Sequence, residues 1–251
     1  MIKSKWFVVI AVWLTAYLSM SGIADCAAEE KTWDISFLGT LKVPAQLEIV
    51  DAKDVITEIG KISEKIEKEN VAKGVKPTAA VISPQEVIAA LEKNHVGIYE
   101  LALKNKGSYN TAFVIAFKFP QEFESTGLNF FDSLQKMDKN QQAEVHKQIL
   151  AGMDTAYAKM PELKGVMEME ILEFYPFEQM TNANAEMISV GGSVAFRIYK
   201  IINPAAVKVY FIKKNKQVYV FGLINSGQDR KLWEDMTKKM LSDAQWKITL
   251  D

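Results

Sequence analysis

Two glutamates at alternate positions are the first candidates for chemistry in this sequence. Glu168 and Glu170 stand in the segment Met167–Glu173, where acidic and apolar residues alternate. In a β-strand, alternate side chains share a face and lie about 6.5–7 Å apart. That separation suits two-carboxylate acid–base catalysis or a hard cation, whereas the plainer alternative is a solvated strand face. A carboxylate-based enzyme therefore stays open as an alternative.

An isolated arginine is the second candidate. Arginine occurs only twice, at Arg197 and Arg230, and Arg197 stands between Phe196 and Ile198 in a predicted strand. A guanidinium presents five donors in a planar fork that can hold a carboxylate. Arg197 could thus anchor an acidic ligand or partner, or it could pair across strands with a glutamate such as Glu168.

Aromatic residues at the end of one strand are the third candidate. Phe174, Tyr175 and Phe177 belong to the segment Phe174–Met180, which we predict to be a loop. Aromatic residues in a loop can mark a surface that binds a protein or peptide. The alternative is that they fold back over the edge of a sheet.

The residues of several common active sites are missing or badly spaced. His95 and His146 are the only histidines, and neither has a second histidine or a cysteine nearby. We expect His95 to follow a helix and His146 to lie on the exposed flank of one. Gly191–Ala195 falls one glycine short of a nucleophile elbow and predicts a hairpin between two strands. No phosphate-binding motif occurs, so we expect a non-enzymatic protein with no cofactor and no metal.

The composition narrows the class of protein further. The chain has 251 residues, 49% of them hydrophobic, and its 30 basic residues balance 31 acidic ones. This length can bury a substantial core, and the composition does not fit a disordered protein. A net charge of -1 gives no overall attraction to nucleic acid, so we expect no nucleic-acid partner.

The first 28 residues predict an export signal. Two lysines precede an uncharged run over residues 6–24, and Cys26–Ala28 places small side chains before a cut at Glu29. We therefore expect an extracytoplasmic protein that is secreted, periplasmic or held in the cell envelope. An uncleaved anchor over residues 6–24 stays open, and it would be the protein's contact with the membrane. Ile23–Cys26 resembles a lipobox that is altered by Asp25, so lipidation at Cys26 also stays open.

Hydrophobic periodicity predicts mixed helices and strands. The most distinct signals are two capping boxes, one at Ser83–Glu86 and one at Asp138–Gln141, each opening a helix. Residues 71–82 contain Gly74 and Pro77 and predict a connector. A further helix starts at Asp51 or Asp54, and a final one covers about Gln228–Ser242. Strands are expected at Ile35–Phe37, Leu41–Val43, Leu47–Val50, around Tyr99–Leu103, Phe113–Phe119, Val166–Tyr175, Ala185–Val190, Ser193–Ile201, Ala206–Lys213 and Gln217–Leu223. We expect Tyr99–Leu103 and Phe113–Phe119 to form an antiparallel hairpin, and the last two strands, apolar on both faces, to be central in the sheet.

This order of elements resembles the PsbP/Mog1/DcrB-like group of small extracytoplasmic α/β domains. The residues that carry the resemblance are Leu41–Pro44 with Leu47–Ile49 at one end and Val218–Leu223 with Trp233–Trp246 at the other. The resemblance implies a fold and a role in binding or assembling other proteins, because the group shares no catalytic site. It implies no site residues.

The sequence thus predicts one α+β domain over residues 29–251, with an antiparallel sheet packed against helices. We expect a non-catalytic binding or assembly module whose partner is a protein or an acidic ligand. The speculative binding residues are Arg197, Glu168, Glu170, Phe174, Tyr175 and Phe177. A membrane-tethered interaction protein would share this domain and differ in keeping the N-terminal segment.

Overall fold

The computed structural model describes the chain in several stretches. They are residues 30–58, 61, 65, 84–105, 108–119, 124–159, 167–198, 201–214, 216–227 and 229–247. The predicted signal segment 1–28 and connector 71–82 lie outside the described residues, as does Ser83 of the first predicted capping box.

Ten strands and the helices between them confirm an α+β fold. The strands are β1 (Glu30–Ile35), β2 (Gly39–Pro44), β3 (Leu47–Asp51), β4 (Val96–Asn105), β5 (Ser108–Lys118), β6 (Met167–Asn182), β7 (Ala185–Ile198), β8 (Ile201–Lys214), β9 (Gln217–Asn225) and β10 (Gln245–Trp246). The helices are α1, described over residues 52–58, α2 (Pro84–Lys93), α3 (Glu124–Lys136), α4 (Lys139–Lys159) and α5 (Arg230–Ser242).

The strands form two antiparallel sheets. A seven-stranded sheet has the order β3-β4-β5-β9-β8-β7-β6, and a three-stranded sheet has the order β1-β2-β10. The predicted β4–β5 hairpin is confirmed, with Val96 opposite Phe117 and Asn105 opposite Ser108. Strands β8 and β9 lie in the interior of the large sheet, as their continuous apolar runs predict.

Two hydrophobic clusters hold the layers together. Helix α5 and the small sheet cover one face of the large sheet, which we call the α5 face. There Trp33 of β1 packs edge-on against Tyr99 and Phe221, with ring centroids 5.0 and 6.2 Å apart. Helix α3 covers part of the other face, the α3 face, where its Phe131 and Leu134 join the smaller cluster.

Side chains fix the ends of two helices. The predicted capping box at Asp138 is confirmed, because the Gln141 N–H donates to Asp138 Oδ1 at 2.9 Å and the Asp138 N–H donates to Gln141 Oε1 at 2.9 Å. At the other end of the fold, Asn182 Nδ2 donates to the carbonyl oxygens of Leu241, Ser242 and Ala244 at 3.3, 2.7 and 3.0 Å. The side-chain amide at the end of β6 thus satisfies the carbonyls of the last two residues of α5, which have no partner within the helix, and the carbonyl of Ala244 just after it.

The predicted hairpin at Gly191 is wrong, because β7 runs unbroken from Ala185 to Ile198. A Cβ atom at Gly191 would collide with the carbonyl oxygen of Val207, and one at Gly192 with that of Glu173. The two glycines therefore allow close approach of the neighbouring strands instead of turning the chain.

The predicted loop Phe174–Met180 is also wrong, because these residues lie within β6. The β6–β7 pairing shifts register between Ile171 and Glu173 and again between Tyr175 and Glu178. These shifts absorb Pro176, which an edge strand tolerates because the N–H that proline lacks is not needed in the ladder. Strand β6 is an edge strand of the large sheet, so it can accommodate these register shifts.

Candidate functional site

A stacked tyrosine and arginine form the centre of the candidate site. Tyr175 lies on the α5 face of β6 and is 2% exposed, and Arg230 is the first residue of α5. The Arg230 guanidinium carbon lies 3.6 Å from the centroid of the Tyr175 ring. Gly191 is opposite Tyr175 on β7 and has no side chain to compete for this space. The pair is a cation–π contact whose cation is 39% exposed.

Two glutamates hold the arginine from different sides. Arg230 Nε donates to Glu234 Oε1 at 3.1 Å, one helical turn further along α5. Glu173 of β6 is more distant, with 3.9 Å between its Oε2 and Arg230 Nη1, and its side chain is 62% exposed. The contact with Glu173 is thus an ion pair longer than a hydrogen bond, whereas the contact with Glu234 is a true hydrogen bond.

A buried lysine lies on the other side of the tyrosine. Lys208 of β8 is 3% exposed, and its Nζ lies 3.4 Å from Glu178 Oε2 and 5.9 Å from the centroid of the Tyr175 ring. Lys238 of α5 approaches the same Glu178 oxygen at 3.9 Å. We call Glu173, Tyr175, Glu178, Lys208, Arg230, Glu234 and Lys238 the β6–α5 cluster.

Buried hydroxyl groups lie within this cluster and beside it. Burial raises the pKa of the Tyr175 hydroxyl, an effect that Arg230 partly opposes. Burial also raises the pKa of Tyr210, and the charges of Glu234 and Glu178 raise it further. Tyr175 Oη and Ser189 Oγ are buried without a partner at hydrogen-bonding geometry in the described part of the chain. Because their pKa values are raised, the hydroxyls of Tyr175 and Tyr210 stay protonated at neutral pH and can donate a hydrogen bond.

The cluster carries equal numbers of positive and negative side chains. Three cations face three carboxylates, and each cation has at least one carboxylate within 4 Å. The network is balanced, so a ligand must replace a contact that already exists. Glu173 makes one of the two longest contacts, at 3.9 Å, and its side chain is 62% exposed, so an incoming carboxylate would replace it at the lowest free-energy cost.

Arg197 and the paired glutamates lie further along the same two strands. The β6–β7 register places Glu168 opposite Arg197 and Glu170 opposite Ala195. This pairing brings the first two residues side by side at the backbone. Arg197 is six positions from Gly191, or about 20 Å along an extended strand. The predicted site residues therefore fall into two separate groups.

The predicted aromatic group is divided between the two faces of the sheet. Tyr175 lies on the α5 face, but Phe174 and Phe177 contact His146 of α4, with ring centroids 3.9 and 5.4 Å from the imidazole. The expected exposed position of His146 is therefore wrong, because its side chain is partly buried against these rings. The segment Phe174–Met180 is not an open apolar patch, since Tyr175 and Met180 are themselves buried.

Sequence reasoning did not select Arg230, Lys208 or Glu178. The sequence does mark two of these residues as unusual. Arg230 is the second of only two arginines, and Lys208 interrupts an apolar strand between Val207 and Val209. Neither signal indicates a partner, because the residues that meet here come from β6, β8 and α5. Tyr175 is the predicted binding residue that the structure places in the cluster.

Comparisons with known proteins leave the family open. No protein-family profile matches the chain, and no curated protein is significantly similar to it. Among the described residues, no helix is long and apolar enough to span a bilayer. In the same part of the chain, no group of three His, Cys, Asp or Glu side chains is placed to hold a metal ion.

Proposed function

We propose that this chain is a non-catalytic binding and assembly module that works outside the cytoplasm. It would hold an acidic group of a protein partner or ligand on Arg230 and Tyr175. The observation that carries the proposal is the partly exposed Arg230 guanidinium, fixed 3.6 Å above the buried Tyr175 ring. A planar cation held in one orientation loses little entropy when a carboxylate binds to it.

The surroundings of Arg230 support an acidic ligand over a basic one. The first turn of α5 contains no acidic residue, and its N-cap Asp229 makes no side-chain capping bond. The helix dipole therefore adds to the positive potential of Arg230 and Lys231 at this end. A carboxylate that replaces Glu173 would gain a charge-assisted hydrogen bond where the protein has a longer ion pair.

The proposal covers location and tethering as well. Export through residues 1–28 would place the domain in the cell envelope or outside the cell, as the resemblance to the PsbP/Mog1/DcrB-like group also implies. If residues 6–24 are retained, the same domain would act as a membrane-tethered interaction protein. The intact mass of the protein isolated from its cell distinguishes a cleaved, a retained and a lipidated N-terminus.

Binding can be tested with a short acidic probe. Isotope-labelled protein would be titrated with acetylated, amidated tetraglutamate and, separately, with tetraglutamine. We expect the acidic peptide to shift the resonances of Arg230 Nε–H and of the first-turn amides of α5. Because one charge-assisted hydrogen bond is lost, Arg230→Ala should weaken binding about tenfold. Glu173→Gln should strengthen binding, because it removes the competing carboxylate.

Lys231→Ala is the matched control. Lys231 follows Arg230 in the same helical turn, but its side chain is 88% exposed and is already paired with Asp235. It should change the affinity less than twofold, since surface ion pairs contribute little. Equal shifts with tetraglutamine, or unchanged binding by Arg230→Ala, would contradict the proposal.

A parallel variant separates the two arginines. Arg197→Ala should leave tetraglutamate binding unchanged if Arg197 acts with Glu168 as a cross-strand pair. Loss of binding in Arg197→Ala but not in Arg230→Ala would move the acidic-ligand site to Glu168, Glu170 and Arg197.

A further inference from the structure

His146 lies at the contact between α4 and the edge strand of the large sheet. Its imidazole is parallel to the Phe174 ring within 6°, with the ring centroids 3.9 Å apart. Phe177 lies on the same side of β6, 5.4 Å away and tilted by 24°. The imidazole is therefore an aromatic surface against which two phenylalanines of β6 pack.

The buried edge of this imidazole has no partner. His146 Nε2 is buried without a hydrogen bond in the described part of the chain. Burial lowers the pKa of His146, and it is the one cause of that shift. A cation–π attraction to the two rings would offset part of the cost of protonation. Both ring nitrogens of an imidazolium carry a proton, and the N–H at Nε2 would have no acceptor, which is costly for a buried charged donor.

Most charged residues on the elements around His146 are paired with other residues. On α4, Glu144 is paired with Lys147 at 3.5 Å. On β6, Glu173 and Glu178 contact Arg230 and Lys208 from the opposite face of the sheet. The charged residues of α3, which packs beside Phe177, are Asp132, bonded to Lys213 at 2.6 Å, and Glu124 and Lys136 at its two ends.

One short segment of β6 connects this contact to the β6–α5 cluster. Phe174 and Phe177 face His146, whereas Tyr175 and Glu178 face Arg230 and Lys208. The register shift between Tyr175 and Glu178 leaves this segment with fewer ladder bonds than the rest of β6. Its position therefore depends on side-chain packing on both faces.

We propose that His146 makes the packing of α4 on β6 sensitive to pH, and with it the position of Tyr175 and Glu178 in the β6–α5 cluster. The neutral imidazole packs on Phe174 and Phe177, and protonation loosens this contact. The link to ligand binding rests on the proposed function, whereas the packing step does not.

The direction of the effect follows from linkage. A histidine whose pKa is lowered in the folded state binds fewer protons there than in the unfolded chain. Its contribution to stability is fully present above the ordinary value of 6.5 and is lost as the pH falls through the folded-state pKa. The relevant window therefore lies at mildly acidic pH.

The packing step is tested by titration and unfolding. We expect the NMR titration of His146 to give a pKa below 6.5. The difference in unfolding free energy between pH 7.5 and pH 5 should shrink in His146→Phe, which keeps an aromatic ring, and in His146→Gln. It should persist in the control His95→Asn, because His95 is exposed. A pKa of 6.5 or above, or the same pH dependence in both His146 variants, would overturn the inference.

The binding step is tested separately with tetraglutamate. The wild-type protein should bind the peptide less tightly at pH 5 than at pH 7.5, and His146→Phe should lose most of that difference. If titration and unfolding behave as expected but the peptide binds nowhere, the proposed function fails and the packing step stands. If binding occurs but its pH dependence is the same in His146→Phe, the link from His146 to the cluster is wrong.

Discussion

Lys208 shows how a single charged residue can be kept inside an apolar sheet. Its ammonium nitrogen lies 5.9 Å from the centroid of the Tyr175 ring and reaches Glu178, whose side chain is 45% exposed. Glu178 has a second cation in Lys238, but Lys208 has Glu178 as its one carboxylate among the described residues. Loss of Glu178 would therefore leave Lys208 without a carboxylate, whereas loss of Lys208 would leave Glu178 with Lys238.

We therefore predict that substitutions of Glu178 and Lys208 lower the free energy of unfolding by different amounts. Glu178→Ala leaves a buried ammonium without a partner, so it should lower the free energy of unfolding by about 2 kcal/mol. Lys208→Met keeps the packing and leaves Glu178 with Lys238, so it should change stability by less than about 1 kcal/mol. Urea denaturation measures both variants, and equal losses would show that the pair is not held as described.

His146 shows the limit of reasoning from one helix alone. Its sequence neighbours Glu144, Val145 and Lys147 include both charged and apolar side chains, and a helix with weak amphipathic character does not reveal which side is buried. Phe174 and Phe177, which bury it, follow 28 and 31 positions later. The burial of this residue was therefore decided by the strand that α4 meets.

The two glycines of β7 allow the neighbouring strands β6 and β8 to approach it closely. Gly192 lies opposite Phe174, and its missing Cβ leaves room for the backbone of Glu173. Gly222 of β9 is different, because a Cβ there would meet the Ile115 carbonyl oxygen at an ordinary 3.6 Å. Two strand glycines in one sheet thus have different structural roles.

The contrast between these glycines gives a prediction for the sheet. Gly192→Ala should destabilise the protein by about 1–3 kcal/mol, because the neighbouring backbone must shift. Gly222→Ala should be neutral or slightly stabilising, since alanine loses less conformational entropy in a strand than glycine. Thermal unfolding followed by circular dichroism compares the two. If Gly192→Ala were as stable as Gly222→Ala, close packing at this point would be ruled out.

The two sheets are joined into one unit by large apolar side chains. Trp33 of the small sheet contacts Tyr99 and Phe221 of the large one, and Trp233 and Trp246 belong to the same cluster. Exposed ion pairs hold the edge of the small sheet, with Lys239 of α5 bonded to Glu30 of β1 at 2.7 Å and Lys247 to Asp34 of β1 at 3.0 Å. The exposed pairs contribute little, so burial must hold the layers together.

We therefore expect the whole domain to unfold in one transition. Trp33→Ala should cost about 3–5 kcal/mol, the usual range for removing a buried large aromatic residue. Leu172→Ala is the control, because Leu172 is 56% exposed and should change stability by less than about 0.5 kcal/mol. Tryptophan fluorescence and far-ultraviolet circular dichroism should give coincident midpoints in urea. Separate midpoints would mean that the small sheet unfolds on its own.

Local patterns were sufficient for much of the architecture. Alternation of apolar residues predicted the β4–β5 hairpin, and the residues around Asp138 predicted the start of α4. Both features depend on neighbours within a few positions, for which sequence spacing is a good guide. The predictions around Gly191 and Pro176 were wrong because these residues also mark turns, and their role here depends on the adjacent strands.

The sequence by itself determined the α+β class, most of the strands and helices, and the scarcity of histidine, cysteine and arginine. Only the tertiary structure decided which rare residues meet: Arg230 lies on Tyr175, 55 positions earlier, and His146 lies on Phe174. Secondary structure follows from periodicity and capping over a few residues. A binding surface depends on strand order and register, which bring distant segments together through packing.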